Sequence, residues 1–159
     1  LDGKVIIVNA KAKKKLRTVI VSAEDNFNNV IYFKMIDNKI VAATGYKILA
    51  VSDKEVRAKY DIRTMTYDGS NIYVATKQGE IVSLTPDLKL VGKIKFPFAH
   101  FLGMISSEDK LYILEREGYV IVLDKNMKDY TVHEADVEDG YIFVTNKAFY
   151  VNDETIVVK

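Results

Sequence analysis

The feature that most constrains this chain is a short phrase that keeps returning. A glycine followed by an extended apolar run opens residues 3–9, 45–53, 79–85 and 118–124. From Gly3 to Gly45, Gly79 and Gly118 the steps are 42, 34 and 39 residues. A fifth copy at 147–152 has Asn146 where the glycine would stand, and asparagine is the next best residue for a turn position with positive φ. Each of the last four copies follows a second apolar run, at 39–44, 71–76, 110–114 and 141–145. Polar turns lead into these runs at 37–38, 68–70, 107–109 and 138–140.

Two further beats complete the period. First runs lie at 31–36, 63–67 and 101–106, with a faint one at 136–137; fourth runs lie at 16–21, 56–60, 90–95, 130–133 and 155–159. All are rich in Ile, Val, Tyr and Phe and bounded by Gly, Asn, Asp or Ser, which is the signature of strands. No window keeps an i, i+3, i+4, i+7 apolar spacing without a turn signal, so helix is set aside. Fourth runs are the most polar, as lysine-bearing edge strands should be.

Four antiparallel strands repeated at a period in the high thirties predict an all-β fold of propeller blades. Each small twisted sheet stacks on the next, so the middle strands are covered on both faces and lose their polar alternation. A β-sandwich or barrel of hairpins is the alternative. It does not require the same turn residue to return at the same beat, and the propeller is preferred for that reason.

The phrase 71–87, with its small-residue second strand, Gly79 turn and Thr85-Pro86-Asp87 stop, resembles quinoprotein-type and related WD-like β-propeller repeats. The resemblance spans essentially the whole chain. It lacks the Gly-His and Trp-Asp marks of WD repeats, there being no tryptophan, and it lacks the double glycine of kelch repeats. It implies fold rather than activity.

The expected organisation is a single propeller-type domain over 1–159, with a half blade at 1–30 and repeats at about 31–62, 63–98, 99–135 and 136–159. Two strands plus four blades of four gives eighteen strands. A closed four-blade ring needs sixteen and a five-blade ring twenty. The chain is therefore expected to be part of a larger propeller, completed by further sequence, another copy or a protein partner. The alternative is a ring closed by an irregular blade around Asp136 and Val137.

Composition narrows the function classes. The 159 residues are 48% apolar and 28% charged, enough for a core and ordinary for a soluble globular protein. Twenty-three Lys plus Arg against 22 Asp plus Glu leave a net charge of +1. That argues against bulk electrostatic binding to nucleic acid or membrane, though not against a local patch. Without cysteine there are no disulfides and no thiolate nucleophiles or metal ligands, and the compartment stays open. No apolar run reaches the 18 or more residues of a membrane-spanning helix, and Leu1-Asp2-Gly3 does not begin a signal peptide. Four arginines, the rest of the cations lysine, and a single glutamine at Gln78 lean toward thermophile usage.

Catalytic signatures are missing from the sequence. His100 and His133 fall in different repeats without clustered ligands, and no nucleophile elbow, phosphate loop or His-Glu-x-x-His occurs. Residues 25–29 alternate oxygen ligands but lack the central glycine and terminal glutamate of a calcium loop. No cofactor or metal is expected. A quinoprotein-like enzyme or small-ligand binder would place its site at the central channel, where the first strands offer Lys34, Arg63, Thr64, Thr66 and Ser106.

Two surface features remain. Lys11, Lys13, Lys14, Lys15 and Arg17 form the densest charge, on the turn between third and fourth strands of the half blade. They suit either a phosphate of nucleic acid or lipid, or a solvated edge that discourages strand addition. The edge reading is preferred, because no aromatic is interleaved with them. Residues 96–101, Phe-Pro-Phe-Ala-His-Phe, join two repeats on the face that also receives Phe27, Tyr46, Gln78, Arg116, Tyr119 and Lys147. Aromatics with an arginine on a rigid platform suit protein recognition. Phe98, His100, Tyr119, Arg116 and Tyr46 are the candidate contact residues, and at least one of Phe96, Phe98 and Phe101 is expected to be an inter-blade wedge. The expected function is a rigid scaffold for protein–protein interaction, without catalysis of its own.

Overall fold

The computed structural model describes residues 3–23, 29–36, 38–44, 48–51, 56–98, 100–134, 142–144, 148–151 and 154–157, with side chains through Glu134 except at Ile48 and Ala50. The chain divides into two compact units, Leu1–Asp61 and Ile62–Lys159. Every described element is a strand, and every pairing is antiparallel between strands adjacent in sequence.

The first unit opens with a two-stranded sheet, β1 (Lys4–Asn9) and β2 (Lys14–Ile20). A four-stranded sheet follows: β3 (Val30–Ile36), β4 (Lys39–Thr44), β5 (Ile48–Val51) and β6 (Val56–Lys59). The second unit holds β7 (Ile62–Tyr67), β8 (Ile72–Thr76), β9 (Glu80–Leu84) and β10 (Leu90–Lys95) in one sheet. Next come β11 (Phe101–Ser107), β12 (Lys110–Glu115), β13 (Tyr119–Asp124) and β14 (Tyr130–Glu134). It ends with three strands, β15 (Ile142–Val144), β16 (Ala148–Val151) and β17 (Glu154–Val157). The strand expected at 136–137 lies outside the described residues.

Burial follows the expected beat. Second strands β8 and β12, and third strands β9 and β13, are buried on both faces almost throughout, whereas fourth strands β10 and β14 are largely exposed. Double-sided burial explains why the middle runs read as unbroken apolar sequence. The turn glycines Gly3, Gly79 and Gly118 have φ of 66°, 85° and 90°, where glycine alone carries no Cβ penalty.

Within the second unit the two four-stranded sheets stack face to face. Tyr73, Ala75, Ile81 and Phe96 meet Phe101, Met104, Ile113, Ile121 and Leu123 in one buried cluster. First strands touch each other directly, β7 against β11 and β11 against β15. Arg63 at the start of β7 donates its Nε to the carbonyl of Phe101 at 3.3 Å, fixing one first strand to the next.

Each four-stranded sheet carries a register shift at the start of its first strand: between Val30 and Tyr32, between Ile62 and Thr64, and between Phe101 and Gly103. A bulge puts two residues opposite one, so neighbours on either side share a face they could not share in a regular strand. Phe101 and Met104, three apart, accordingly point into the same core.

Candidate protein-binding face

The site is built on the connection 96–98 that leaves β10. Phe96 N–H donates to the Gly79 carbonyl at 2.9 Å, clamping the connection over the β8–β9 turn. A Cβ on Gly79 would sit 2.8 Å from the Phe98 carbonyl oxygen and 2.9 Å from that of Phe96. Only glycine fits there, on both steric and φ grounds.

This clamp sets a row of rings. Phe96 is buried and stacks on Phe98 with centroids 5.6 Å apart and planes at 10°. Phe98, half buried, stacks in turn on half-buried Tyr119, at 6.3 Å and 19°. At the other end Phe96 meets Tyr130 of β14 edge-on, at 5.0 Å and 83°. Offset stacks and edge contacts of this kind stiffen a surface beyond their area alone.

Polar residues border the row. His100 and Arg116 are exposed, and the Arg116 N–H donates to the His100 carbonyl at 2.9 Å. Their side chains therefore leave from adjacent points of backbone. Before Arg116, Glu115 is buried, its Oε2 accepting the Glu117 N–H at 2.7 Å while Oε1 has no hydrogen-bond partner among the described residues. The corresponding Thr76 uses its Oγ1 to accept from the Glu80 N–H at 3.1 Å, so a longer acid replaces a threonine at this strand end.

Sequence reasoning placed Phe98, Tyr119, His100 and Arg116 on one face, and the structure brings Phe98 to Tyr119 and the backbone of His100 to Arg116. Tyr46 lies outside the described residues, as do Phe27, Lys147 and the loop 25–28. Phe96 and Phe101 are the core wedges. Tyr130 was missed, because it sits on a strand that reads as a polar edge. Of the channel candidates in the second unit, Thr66 is buried and Arg63 is bonded to Phe101. Lys11, Lys13, Lys14, Lys15 and Arg17 are exposed on the β1–β2 hairpin, where Arg17 donates to the Asn38 carbonyl at 3.1 Å. His133 pairs its ring Nε2 with Thr131 Oγ1 at 3.1 Å. Among the described residues no three potential metal ligands come together.

Comparison with solved structures decides the architecture. The chain matches BamB from Moraxella catarrhalis with a TM-score of 0.70 at 12% identity, over 94% of this chain and 50% of that one. It matches Saccharomyces cerevisiae Sqt1 at 0.71 and 13%, over 99% and 51%. The Neurospora crassa Pan2 WD40 domain gives 0.66 and 14%, over 99% and 54%. This chain has the β-propeller fold.

At roughly half the length of these chains, the β-propeller described here has the extent of a partial one. No family model matches the sequence. Two curated relatives, both plasminogen-binding protein PgbB from Helicobacter pylori strains, are 32% and 31% identical over 150 residues, 92% of this chain. The chain spans 28% of the length of each.

Proposed function

We propose that this β-propeller segment is a rigid platform that binds a protein partner through the Phe98–Tyr119 stack, with His100 and Arg116 at its polar border. The observation that carries the reading is the stack itself: two half-exposed rings, anchored from below by buried Phe96 and by the Gly79 clamp. Preordered aromatics beside an arginine lose little entropy on binding and are the residue types that dominate interface energetics.

The relatives support a protein as the class of partner, since PgbB is named for plasminogen binding. So does one structural neighbour, whose structure is of BBS1N in complex with ARL6. Plasminogen is the first partner to test. Surface plasmon resonance with immobilised plasminogen should show saturable binding that weakens about 10- to 30-fold in Phe98→Ala and Tyr119→Ala. Saturable binding unchanged in both variants would move the contact off this face.

A further inference from the structure

Second strands β4, β8 and β12 each end on a buried residue, and they differ in what they bury. Thr44 and Thr76 end the first two, whereas Glu115, 1% exposed, ends the third. Thr76 closes its turn through a hydroxyl, and Glu115 closes the matching turn with Oε2 alone. Among the described residues Oε1 has no hydrogen-bond partner and the charge no counter-ion. A buried carboxylate is costly unless it is paired, and a threonine or glutamine would close the turn without that cost.

The register shows what surrounds that carboxylate. Glu115 lies opposite Phe101 on one side and Tyr119 on the other, and Tyr119 lies opposite Glu134. Cross-strand partners share a face, so Phe101, Glu115, Tyr119 and Glu134 form one row, with Phe98 stacked on its tyrosine. Glu134 is exposed and has no ion-pair partner among the described residues. The corresponding row of the preceding sheet reads Ile62, Thr76, Glu80 and Lys95. There the single acid lies opposite Lys95 and bonds the ammonium of Lys93 at 3.1 Å. In the β11–β14 sheet two acids bracket a tyrosine, and the row holds no base to answer them.

We infer that this row is a receptor for a basic side chain, lysine or arginine, carried by the protein partner. The cation docks beside the Phe98–Tyr119 rings, with Glu134 meeting it from the solvent side and Glu115 acting from the buried side. Half-buried rings next to carboxylates attract a cation through their quadrupoles as well as through charge. Exposed Arg116 follows Glu115 in the turn, but water screens its charge, whereas the buried carboxylate is screened little. The local field therefore favours a cation. A metal ion is a poor occupant, because no three ligating side chains come together among the described residues and the rings supply no hard oxygen. The inference rests on the proposed aromatic face and adds the chemistry of what docks there.

The probes are N-acetyl-lysine methylamide, its arginine counterpart, and the norleucine counterpart as a neutral control. Saturation-transfer NMR on the full-length protein should show a cationic probe binding with half-saturation at about 1–10 mM, and norleucine at least about 10-fold weaker. Glu115→Gln keeps an oxygen for the Glu117 N–H and should weaken cation binding about 10-fold. Glu134→Gln should weaken it about 2- to 5-fold, and on an exposed strand it still decides should Glu115→Gln fail to fold. Glu80→Gln, at the place of Tyr119 in the preceding row, should change nothing. No binding of either cation, norleucine bound as tightly, or cation binding that Glu115→Gln and Glu134→Gln leave intact overturns the inference. The two readings fail separately: if Phe98→Ala and Tyr119→Ala weaken plasminogen binding while no cation binds through the glutamates, the face stands and the receptor falls.

Discussion

The ammonium of Lys125 lies 2.8 Å from Asp68 Oδ2, bridging two successive sheets through residues 57 apart in sequence. Asp68 also opens the β7–β8 turn, accepting the Ser70 and Asn71 N–H groups at 2.8 and 2.7 Å on Oδ1. The Tyr73 hydroxyl reaches Oδ2 at 3.2 Å, and Lys125 sits 5.7 Å over the Tyr73 ring. One carboxylate therefore serves a turn and a junction together.

The two roles can be separated. Asp68→Asn keeps an oxygen for the turn and removes the charge, whereas Asp68→Ala removes both. Losing a largely buried, charge-assisted bond costs about 1–3 kcal/mol, so Asp68→Asn should be clearly destabilised and Asp68→Ala more so. Urea denaturation of both variants checks the order.

Acid should act through the same group. Burial opposes ionisation of Asp68, but hydrogen bonds from Asn71, Lys125 and Ser70 outweigh it and hold the carboxyl below its ordinary value. A depressed folded-state pKa gives stability that is present above the unfolded value and lost as pH falls through the folded one. Stability should decline below about pH 4, the ordinary aspartate value. The decline should be shallower in Asp68→Asn, as read from melting temperature against pH.

Alkali should unfold the protein by way of Tyr73. Burial, with the Asp68 charge beside it, pushes its hydroxyl up to about 12. A raised folded-state pKa gives stability that is full below the unfolded value, near 10, and drains away as pH rises toward 12. Tyr73→Phe removes this group from the titration, and its pH 10–12 melting profile should be flatter than wild type.

Gly79 should tolerate nothing larger. Its φ of 85° and the two carbonyl oxygens within 2.9 Å of an added Cβ make Gly79→Ala strained, by about 1–3 kcal/mol. Calorimetry should show the loss, with partner affinity reduced because Phe98 is displaced.

The ring row should split by depth. Phe96→Ala empties a core position and should cost about 3–5 kcal/mol. Phe98→Ala and Tyr119→Ala should leave the fold intact and act on binding. A Phe98→Ala melting temperature many degrees below wild type would reassign Phe98 to the core.

Much of this fold is legible in the sequence because strand period, turn glycines and double-sided burial all act locally. Gly79 and Gly118 announce their turns, and the run at 110–114 announces a strand covered on both sides. The bulges were not legible: Phe101 and Met104 sit at opposite parity, and nothing nearby in sequence says they face one core. Lys125 and Asp68 meet only after two sheets stack, so their pairing has no local signature. Phe98 and Tyr119 could be assigned to one face from loop position, but their stacking depends on the Gly79 clamp. Tyr130 joined the row from an edge strand whose neighbours are polar.

The offset repeated at Val30, Ile62 and Phe101 has a consequence for how such a chain tolerates change. Because one extra residue turns each entering side chain inward, adding a matching residue to β12 opposite Leu102 would restore a regular ladder and swing Phe101 away from the face of Met104 while leaving composition almost untouched. A sheet like this is therefore constrained by spacing as tightly as by hydrophobicity, and a single-codon gain opposite the offset would do more harm than most replacements.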